Sequence, residues 1–517
     1  MLSFFNKRFF IIFLFPILLG GFTTLSFQPF NLFFLNFISL PLLFYSIIYV
    51  KKKSKSVYRK KPFLKNLFIL GTSYGFGFFF FGIFWIANSL TFDDSFKYLI
   101  PFSLILIPLF LSLFFSLPIL LIGNYCEKNI SSIFLISLAF SLSDFIRDKI
   151  LTGFPWNIWS YSFSWSVETL QILHFIGIFS LNILIITIFF LPSILFMKNN
   201  HKYFFLSFFI ILIFVNYFYG SYKVNSSTQT DNVNKVNFKI VTAGMNLSDF
   251  KNEFDVASKL SKYSDPQKDK STIFVWPEGV FLNNNFNENN DVKKLFEETF
   301  SKNHLIILGA NTLKITSSGE EYYNSMLIVD KNLKLISQYD KKKLVPFGEF
   351  LPFERFLNYI GLKKITPGYS SFSKGTGATL INLKFDEKNI NILPLICYEI
   401  IFPSLTEKYN KYNFIINISE DAWFGKSIGP YQHFAKAIFR SIESGVYTIR
   451  SANMGISAFI SPQGKILKNL QPDEIGNIEL SVPIYEKNKN IIKKDLIFLL
   501  LLITYIVTFF VLRKFKI

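Results

Sequence analysis

Cysteine and histidine are almost absent from this chain, with two and four in 517 residues. Cys126 lies between hydrophobic segments and Cys397 lies far downstream in the polar part of the chain, so no internal disulfide framework is expected. The histidines stand at 174, 201, 304 and 433 without metal-ligand spacing, and neither a metal nor a cofactor is expected. Acidic residues are also scarce, 35 against 54 lysines and arginines, for a formal charge of +19. That excess invites a nucleic-acid reading, yet residues 221–495 carry only roughly +6 and the remainder flanks apolar runs. No RNA- or DNA-binding motif is present, so nucleic acid is not an expected partner. The first apolar run has no small-residue cleavage site before Phe22-Thr23-Thr24, which predicts an uncleaved anchor.

What the chain has in excess is apolar surface. Half the residues are hydrophobic and 67 are phenylalanine, more than a water-soluble globule normally carries. The excess is concentrated before residue 221. Runs of spanning length fall near 9–25, 31–50, 65–88, 98–122, 131–147, 172–197 and 203–220, with an eighth at 495–512. The fifth is the weakest, because Ser143, Asp144 and Arg147 interrupt its end. Basic clusters (Lys7-Arg8, Lys51 to Lys61, Lys198 with Lys202, and Arg513 to Lys516) fall on one face if both termini are cytoplasmic. Residues 236–494 then lie on the periplasmic side.

The expected organisation is a seven-span membrane domain over 1–220 and a linker over 221–235. A catalytic domain over 236–494, a last span over 495–512 and a cytoplasmic tail over 513–517 follow. The aromatic stretch Gly153 to Tyr161 fits a belt at the membrane interface. Gly71-Thr72-Ser73-Tyr74-Gly75 has the spacing of a serine-hydrolase elbow, but no strand precedes it, so it reads as small residues at a helix contact. From 236 onward, short strands (237–244, 271–276, 304–309, 323–329, 333–339, 378–384, 390–397, 412–418, 447–452, 456–461) alternate with helices (251–263, 291–302, 399–409, 431–445). This predicts an α/β layered domain. Pro462-Gln463-Gly464-Lys465 reads as a hairpin turn, and 346–375, rich in Phe and Leu, reads as a lid.

Three polar groups stand at the ends of apolar runs: Glu278 after Trp276-Pro277, Lys341 after Tyr339-Asp340, and Cys397 after Ile390 to Ile396. Cysteine attacks as the thiolate, which burial alone would suppress, so it needs a base and a positive field. Glu278 can take the proton and Lys341 can stabilise both the thiolate and an oxyanion. Singly each has a bland reading, an inert buried thiol or a solvated lysine run.

Together the segments Trp276-Pro277-Glu278, Tyr339-Asp340-Lys341 and Cys397-Tyr398-Glu399 resemble the Glu–Lys–Cys motifs of the nitrilase, or carbon–nitrogen hydrolase, superfamily. Leu344 to Pro352, Asp421-Ala422-Trp423-Phe424-Gly425, Gly429 to His433, Gly153-Phe154-Pro155-Trp156 and Phe27-Gln28-Pro29-Phe30 resemble its membrane-integrated branch, the apolipoprotein N-acyltransferases. The resemblance implies a multi-pass helical domain plus a nitrilase-like αββα sandwich. It implies Glu278 as general base, Lys341 as oxyanion and thiolate stabiliser, and Cys397 as nucleophile. Glu349 and Glu399 would support them, Tyr398 and Trp423 would line the pocket, and His433 reads as a structural donor. Departures from the family pattern stand at Glu420, Ile438, Val446 and Gly244-Met245-Asn246-Leu247.

The implied activity is the last step of lipoprotein maturation. A fatty acyl chain passes from a phospholipid, through a thioester on Cys397, to the α-amino group of a diacylglyceryl-cysteine on an apolipoprotein. The implied setting is a monomer in a bacterial inner membrane. The rivals are a membrane-tethered amidase of the same fold and a non-catalytic membrane protein with a nitrilase-like domain.

Overall fold

The computed structural model describes residues 9–54, 62–226, 234–246, 252–282, 289–317, 319–352, 359, 371–377, 379–409, 411–485 and 493–517. The chain divides into two compact units. One comprises Met1–Asn88, Ser95–Ser226 and Ile492–Ile517, the other Ser89–Asp94 and Ser227–Ile491.

The first unit is helical. Among its described residues six helical stretches are long and apolar enough to cross a membrane: Phe33–Lys53, Phe63–Thr91, Asp94–Ile122, Leu173–Leu195, Lys202–Asn225 and Lys494–Lys514. Of the remaining expected spans, Phe10–Thr24 is a shorter apolar helix. Ser131–Lys149 is a helix whose C-terminal half buries charge. There Arg147 Nη2 donates to Asp144 Oδ1 at 2.7 Å, and Asn182 Nδ2 donates to Asp144 Oδ2 at 2.9 Å. Buried charge survives only when paired and hydrogen-bonded, which explains how polar residues sit inside this bundle.

The Gly153–Tyr161 stretch departs from expectation. Trp156, Trp159 and Tyr161 are buried, and Trp159 stacks on Phe140 with centroids 5.8 Å apart and planes 8° apart. Arg147 draws the loop inward by donating to the Phe154 carbonyl, so the aromatics fill the helical core instead of forming an interfacial belt. Gly71 and Gly75 behave as expected. A Cβ at Gly71 would lie 2.5 Å from Ser116 Cα and one at Gly75 would lie 2.8 Å from Ser112 Cα. These glycines let two helices touch backbone to backbone.

The second unit is a four-layer sandwich. Two six-stranded sheets have the orders β12-β1-β2-β3-β4-β5 and β11-β10-β9-β8-β7-β6. In chain order the strands are β1 Lys235–Thr242, β2 Thr272–Val275, β3 His304–Thr316, β4 Gly319–Val329, β5 Leu335–Asp340, β6 Ile381–Phe385, β7 Lys388–Ile396, β8 Phe414–Glu420, β9 Tyr447–Asn453, β10 Ser457–Ile460, β11 Ile466–Leu470 and β12 Gly476–Pro483. Alternation along each strand sorts the side chains into layers. Phe238, Ile240, Ile273, Val275 and Ile307 face the second sheet, where they meet Ile392, Phe414, Ile416 and Ile449. Val241, Phe274, Ile306 and Leu308 point the other way, onto the helices Glu253–Ser264 and Asn290–Thr299. Asn252 and Asn289 cap those helices, each accepting from two backbone N–H groups.

The expected strands are all present, and β11 and β12 are additional. The Pro462–Lys465 turn joins β10 to β11, with Gly464 N–H donating to the Ser461 carbonyl at 2.8 Å. The expected helix 399–409 is instead a tight turn, Cys397–Ile401, followed by a short helix, Pro403–Glu407. Pro403 has no N–H and starts a helix afresh. The expected lid falls largely on residues 353–358 and 360–370, outside the described residues.

Strands β1, β2 and β3 run parallel, as do β7, β8 and β9. Strand β5 runs antiparallel to β4, itself antiparallel to β3, so β2 and β5 end on the same edge. That edge is where ligands bind in parallel sheets. The turn after β2 hangs on Gly309 of β3: Gly309 N–H donates to the Pro277 carbonyl at 3.1 Å, and Val280 N–H donates to the Gly309 carbonyl at 2.9 Å. A Cβ at Gly309 would lie 2.5 Å from Glu278 Cα. Gly309→Ala is therefore expected to push the Glu278 turn outward and to lower activity by about 100-fold. Steady-state assay beside a thermal unfolding curve checks whether activity falls further than stability.

Candidate active site

Glu278, Lys341 and Cys397 stand just beyond the C-terminal ends of β2, β5 and β7. Each strand delivers one group to the same edge. Cys397 has φ +47, a left-handed conformation unusual for a residue with a side chain. The strained position turns the chain sharply after β7 and leaves Cys397 partly exposed amid buried neighbours. Glu399 holds that turn. Its Oε2 accepts from Ile396 N–H at 2.9 Å, and its Oε1 accepts from Tyr339 OH at 2.9 Å and from the N–H groups of Lys342 and Lys343 at 2.8 and 3.1 Å. The fully buried side chain thus ties the Cys397 turn to the end of β5.

Lys341 is buried, unlike the half-buried Lys342 and Lys343. Its ammonium donates to Glu278 Oε1 at 3.1 Å and to Glu349 Oε1 at 2.8 Å. Burial alone would lower its pKa, but the charges of Glu278 and Glu349 prevail and hold it above the usual lysine value. An ammonium has three N–H donors. Two serve the carboxylates, which leaves one for a thiolate or oxyanion. Glu278 Oε2 accepts from the Glu420 backbone N–H at 2.9 Å, and Glu349 Oε2 accepts from Val345 N–H at 2.8 Å.

The Cys397 thiol is pushed well above its usual pKa, first by burial and then by the Glu278 charge. Lys341 and a hydrogen bond with Ser419 act in the opposite direction without offsetting this. Any reaction that starts from this thiol requires proton transfer to a base as the sulfur attacks.

Sequence reasoning missed several contributors. Asn324 on β4 donates from Nδ2 to both Glu278 Oε1 and Glu349 Oε1, each at 2.7 Å. A polar residue inside the apolar stretch Tyr323 to Val329 was its only signal. Asp421 accepts from Arg450 Nη2 at 2.7 Å and from Ser419 Oγ at 2.6 Å. Burial would raise Asp421, yet Arg450 and His433 bring it down to about 2. His433 lies between Asp421 Oδ1 at 2.9 Å and the Cys397 carbonyl at 3.2 Å. It reaches the backbone of the nucleophile, in keeping with a bracing role.

The departure at Glu420 is a further acid in the site. Burial pushes its carboxyl far above the ordinary range, and the donors Asn453 Nδ2 and Ala422 N–H do not offset that. Its side chain caps the turn Asp421–Phe424, which carries the half-buried Trp423. Tyr398 is buried beside Cys397 with its ring edge-on to Phe402 at 5.1 Å. Ile438 packs beneath the Gly464 turn, and Val446 is buried before β9. Gly244 and Met245 are held by Asn453, which accepts from Met245 N–H at 2.9 Å and donates to its carbonyl at 2.7 Å. Leu247 lies outside the described residues.

In the free protein, alkylation of Cys397 by iodoacetamide is expected to be slow at neutral pH and to rise at a pH above the usual thiol value of about 8.5. Lys341→Met should move that rise higher still, because it removes the cation that lowers the thiol's pKa. Mass spectrometry of the alkylated peptide across pH measures both, and fast alkylation at pH 6 would contradict the assignment.

Residues 19–191 match the family profile described as apolipoprotein N-acyltransferase N-terminal domain, and residues 245–484 match that of carbon-nitrogen hydrolase. Among curated proteins, the apolipoprotein N-acyltransferase of Rhizobium leguminosarum bv. trifolii is 31% identical over 90% of this chain and 88% of its own length. That of Rickettsia prowazekii is 32% identical over 90% of this chain and 91% of its own. Among solved structures, Saccharomyces cerevisiae Nit3 is 18% identical, with a TM-score of 0.34 over 48% of this chain and 90% of its own. With its helical unit matching the first profile, its two-sheet unit matching the second, and relatives 31% and 32% identical aligned over about nine tenths of both chains, the chain belongs to the apolipoprotein N-acyltransferase family.

Proposed function

We propose that this chain transfers a fatty acyl group from a membrane phospholipid to the α-amino group of a diacylglyceryl-cysteine at an apolipoprotein's N-terminus. The reaction runs in two halves through Cys397. In the first, Glu278 takes the thiol proton as sulfur attacks an ester carbonyl, at the sn-1 chain in this reading. The third N–H of Lys341 meets the oxyanion. The carbon–oxygen bond then breaks, Glu278 returns the proton to the departing alkoxide, and a lysophospholipid leaves a thioester behind. In the second half the neutral amine attacks the thioester and Glu278 takes its proton. The carbon–sulfur bond breaks and the thiol is restored with that proton.

The observation that carries this reading is Cys397 in a left-handed turn, electrostatically coupled to a Glu278–Lys341 pair 3.1 Å apart. Apolar helices on the same chain support it, because both substrates are lipid-anchored and a tethered site meets them at high effective concentration. Glu349 holds Lys341, Glu399 holds the turn, and Tyr398 and Trp423 line the pocket. The protein works as a monomer in the inner membrane, with both termini cytoplasmic and the catalytic unit periplasmic, the orientation that the basic clusters favour.

Purified full-length protein incubated with phosphatidylethanolamine is expected to gain one acyl mass on the peptide containing Cys397. The adduct should clear on addition of a diacylglyceryl-cysteine peptide with a free amine. Cys397→Ala should abolish the adduct, and Glu278→Gln should slow its formation by about 10²–10⁴-fold. An adduct that clears equally well into water alone would point to a tethered hydrolase.

A further inference from the structure

Asn324 occupies a position that an apolar strand has no need to fill with an amide. It lies on β4 between β3 and β5, paired with Asn311 across the first and followed by Ser325, which pairs with Asp340 on the second. Its own carbonyl accepts from Lys341 N–H at 2.9 Å. Its side-chain NH2 is committed to two carboxylate oxygens, Glu278 Oε1 and Glu349 Oε1, both at 2.7 Å. Those same two oxygens accept from Lys341 Nζ. Two donors and two acceptors thus close a four-membered ring, with an ammonium at one corner and a neutral amide at the opposite corner.

The charge balance of that ring is uneven. Two carboxylates share one ammonium inside a buried site, so one negative charge has no cation of its own. Without further donors the two acids would compete for the one ammonium. An amide supplies two N–H donors and no titratable proton, so it stabilises both negative charges without neutralising either. It also occupies Glu278 Oε1 completely, since that oxygen now accepts from both Lys341 and Asn324. Oε2, which among the described residues accepts from the Glu420 N–H alone, keeps a lone pair open for the thiol proton.

We propose that Asn324 is a positioning residue that keeps Glu278 ionised and presents its Oε2 as the proton-accepting atom. The proposal rests on the reading of Glu278 as the base. Among the described residues, the titratable groups around Glu278 are Lys341 from the end of β5, Glu349 from the segment after it, Glu420 with its neighbour Asp421 after β8, and Cys397 after β7. Of these, Lys341 alone is a cation, so removal of Asn324 leaves the Glu278 charge underpaired. Losing a donor to a carboxylate raises its pKa, and the acid limb of any step that needs the ionised base then moves upward in pH.

The test is the pH dependence of acyl-thioester formation on Cys397 in a single turnover, with full-length protein in detergent and phosphatidylethanolamine carrying a labelled acyl chain. For Asn324→Ala the acid limb is expected to move up by about one pH unit, with the rate largely recovered on the alkaline side. Asn324→Asp, nearly identical in shape but adding a third carboxylate, should move it at least as far. A uniform loss at every pH, or an unshifted acid limb in the aspartate variant, would overturn the proposal. The aspartate variant decides the matter if the alanine variant fails to fold. If the unaltered protein forms no thioester at any pH, the proposed function falls first. If it forms one with an acid limb that neither variant moves, the role of Asn324 alone is refuted.

Discussion

One ammonium shared by two carboxylates sets the terms for the catalytic unit. Lys341 is buried together with Glu278 and Glu349, and removing three charged groups from water is costly unless nearly every donor and acceptor is matched. The matching partners come from elements remote in sequence. Asn324 arrives on β4, the Glu420 N–H at the end of β8 and the Val345 N–H on the segment after β5. A one-residue shift of β4 would turn the Asn324 side chain to the opposite face of the sheet. The registers of β2, β4, β5 and β8 are therefore as much a part of the site as the side chains.

Around this ring the other acids are kept in different states by different surroundings. Asp421 is ionised against the Arg450 guanidinium. Glu420, with amide donors from Asn453 and Ala422, is pushed the other way by burial. Glu399 answers to four donors and serves as a mechanical tie. The five carboxyl groups of this site are set apart by the donors each one meets.

Much of this was readable in the sequence, for reasons that can be named. Glu278, Lys341 and Cys397 each follow an apolar run and a characteristic neighbour, so motif and strand pattern pointed the same way. Residues whose role depends on pairing between distant strands carried no such mark. Asn324 reads as an interruption of a strand until β3 and β5 flank it. Strands β11 and β12 hide in polar sequence because they lie at sheet edges with exposed or half-exposed faces. The Gly153–Tyr161 aromatics suggested an interface by composition. Contacts set by three-dimensional packing, the hydrogen bond from Arg147 to the Phe154 carbonyl among them, hold them inward.

The pairing of β1 with β12 has a consequence for synthesis of the protein. Lys235, at the start of the first strand, lies opposite Pro483, near the end of the last. Strand β1 emerges early in translation of this unit and can pair with β2 soon afterwards, yet its outer edge stays open until almost the whole unit has been made. An open edge of unpaired N–H and C=O groups is a template for aggregation. In the periplasmic orientation proposed here, closure of the sheet must follow export of its final strand. The interval between β1 and β12 is therefore the period in which this unit depends most on protection by chaperones.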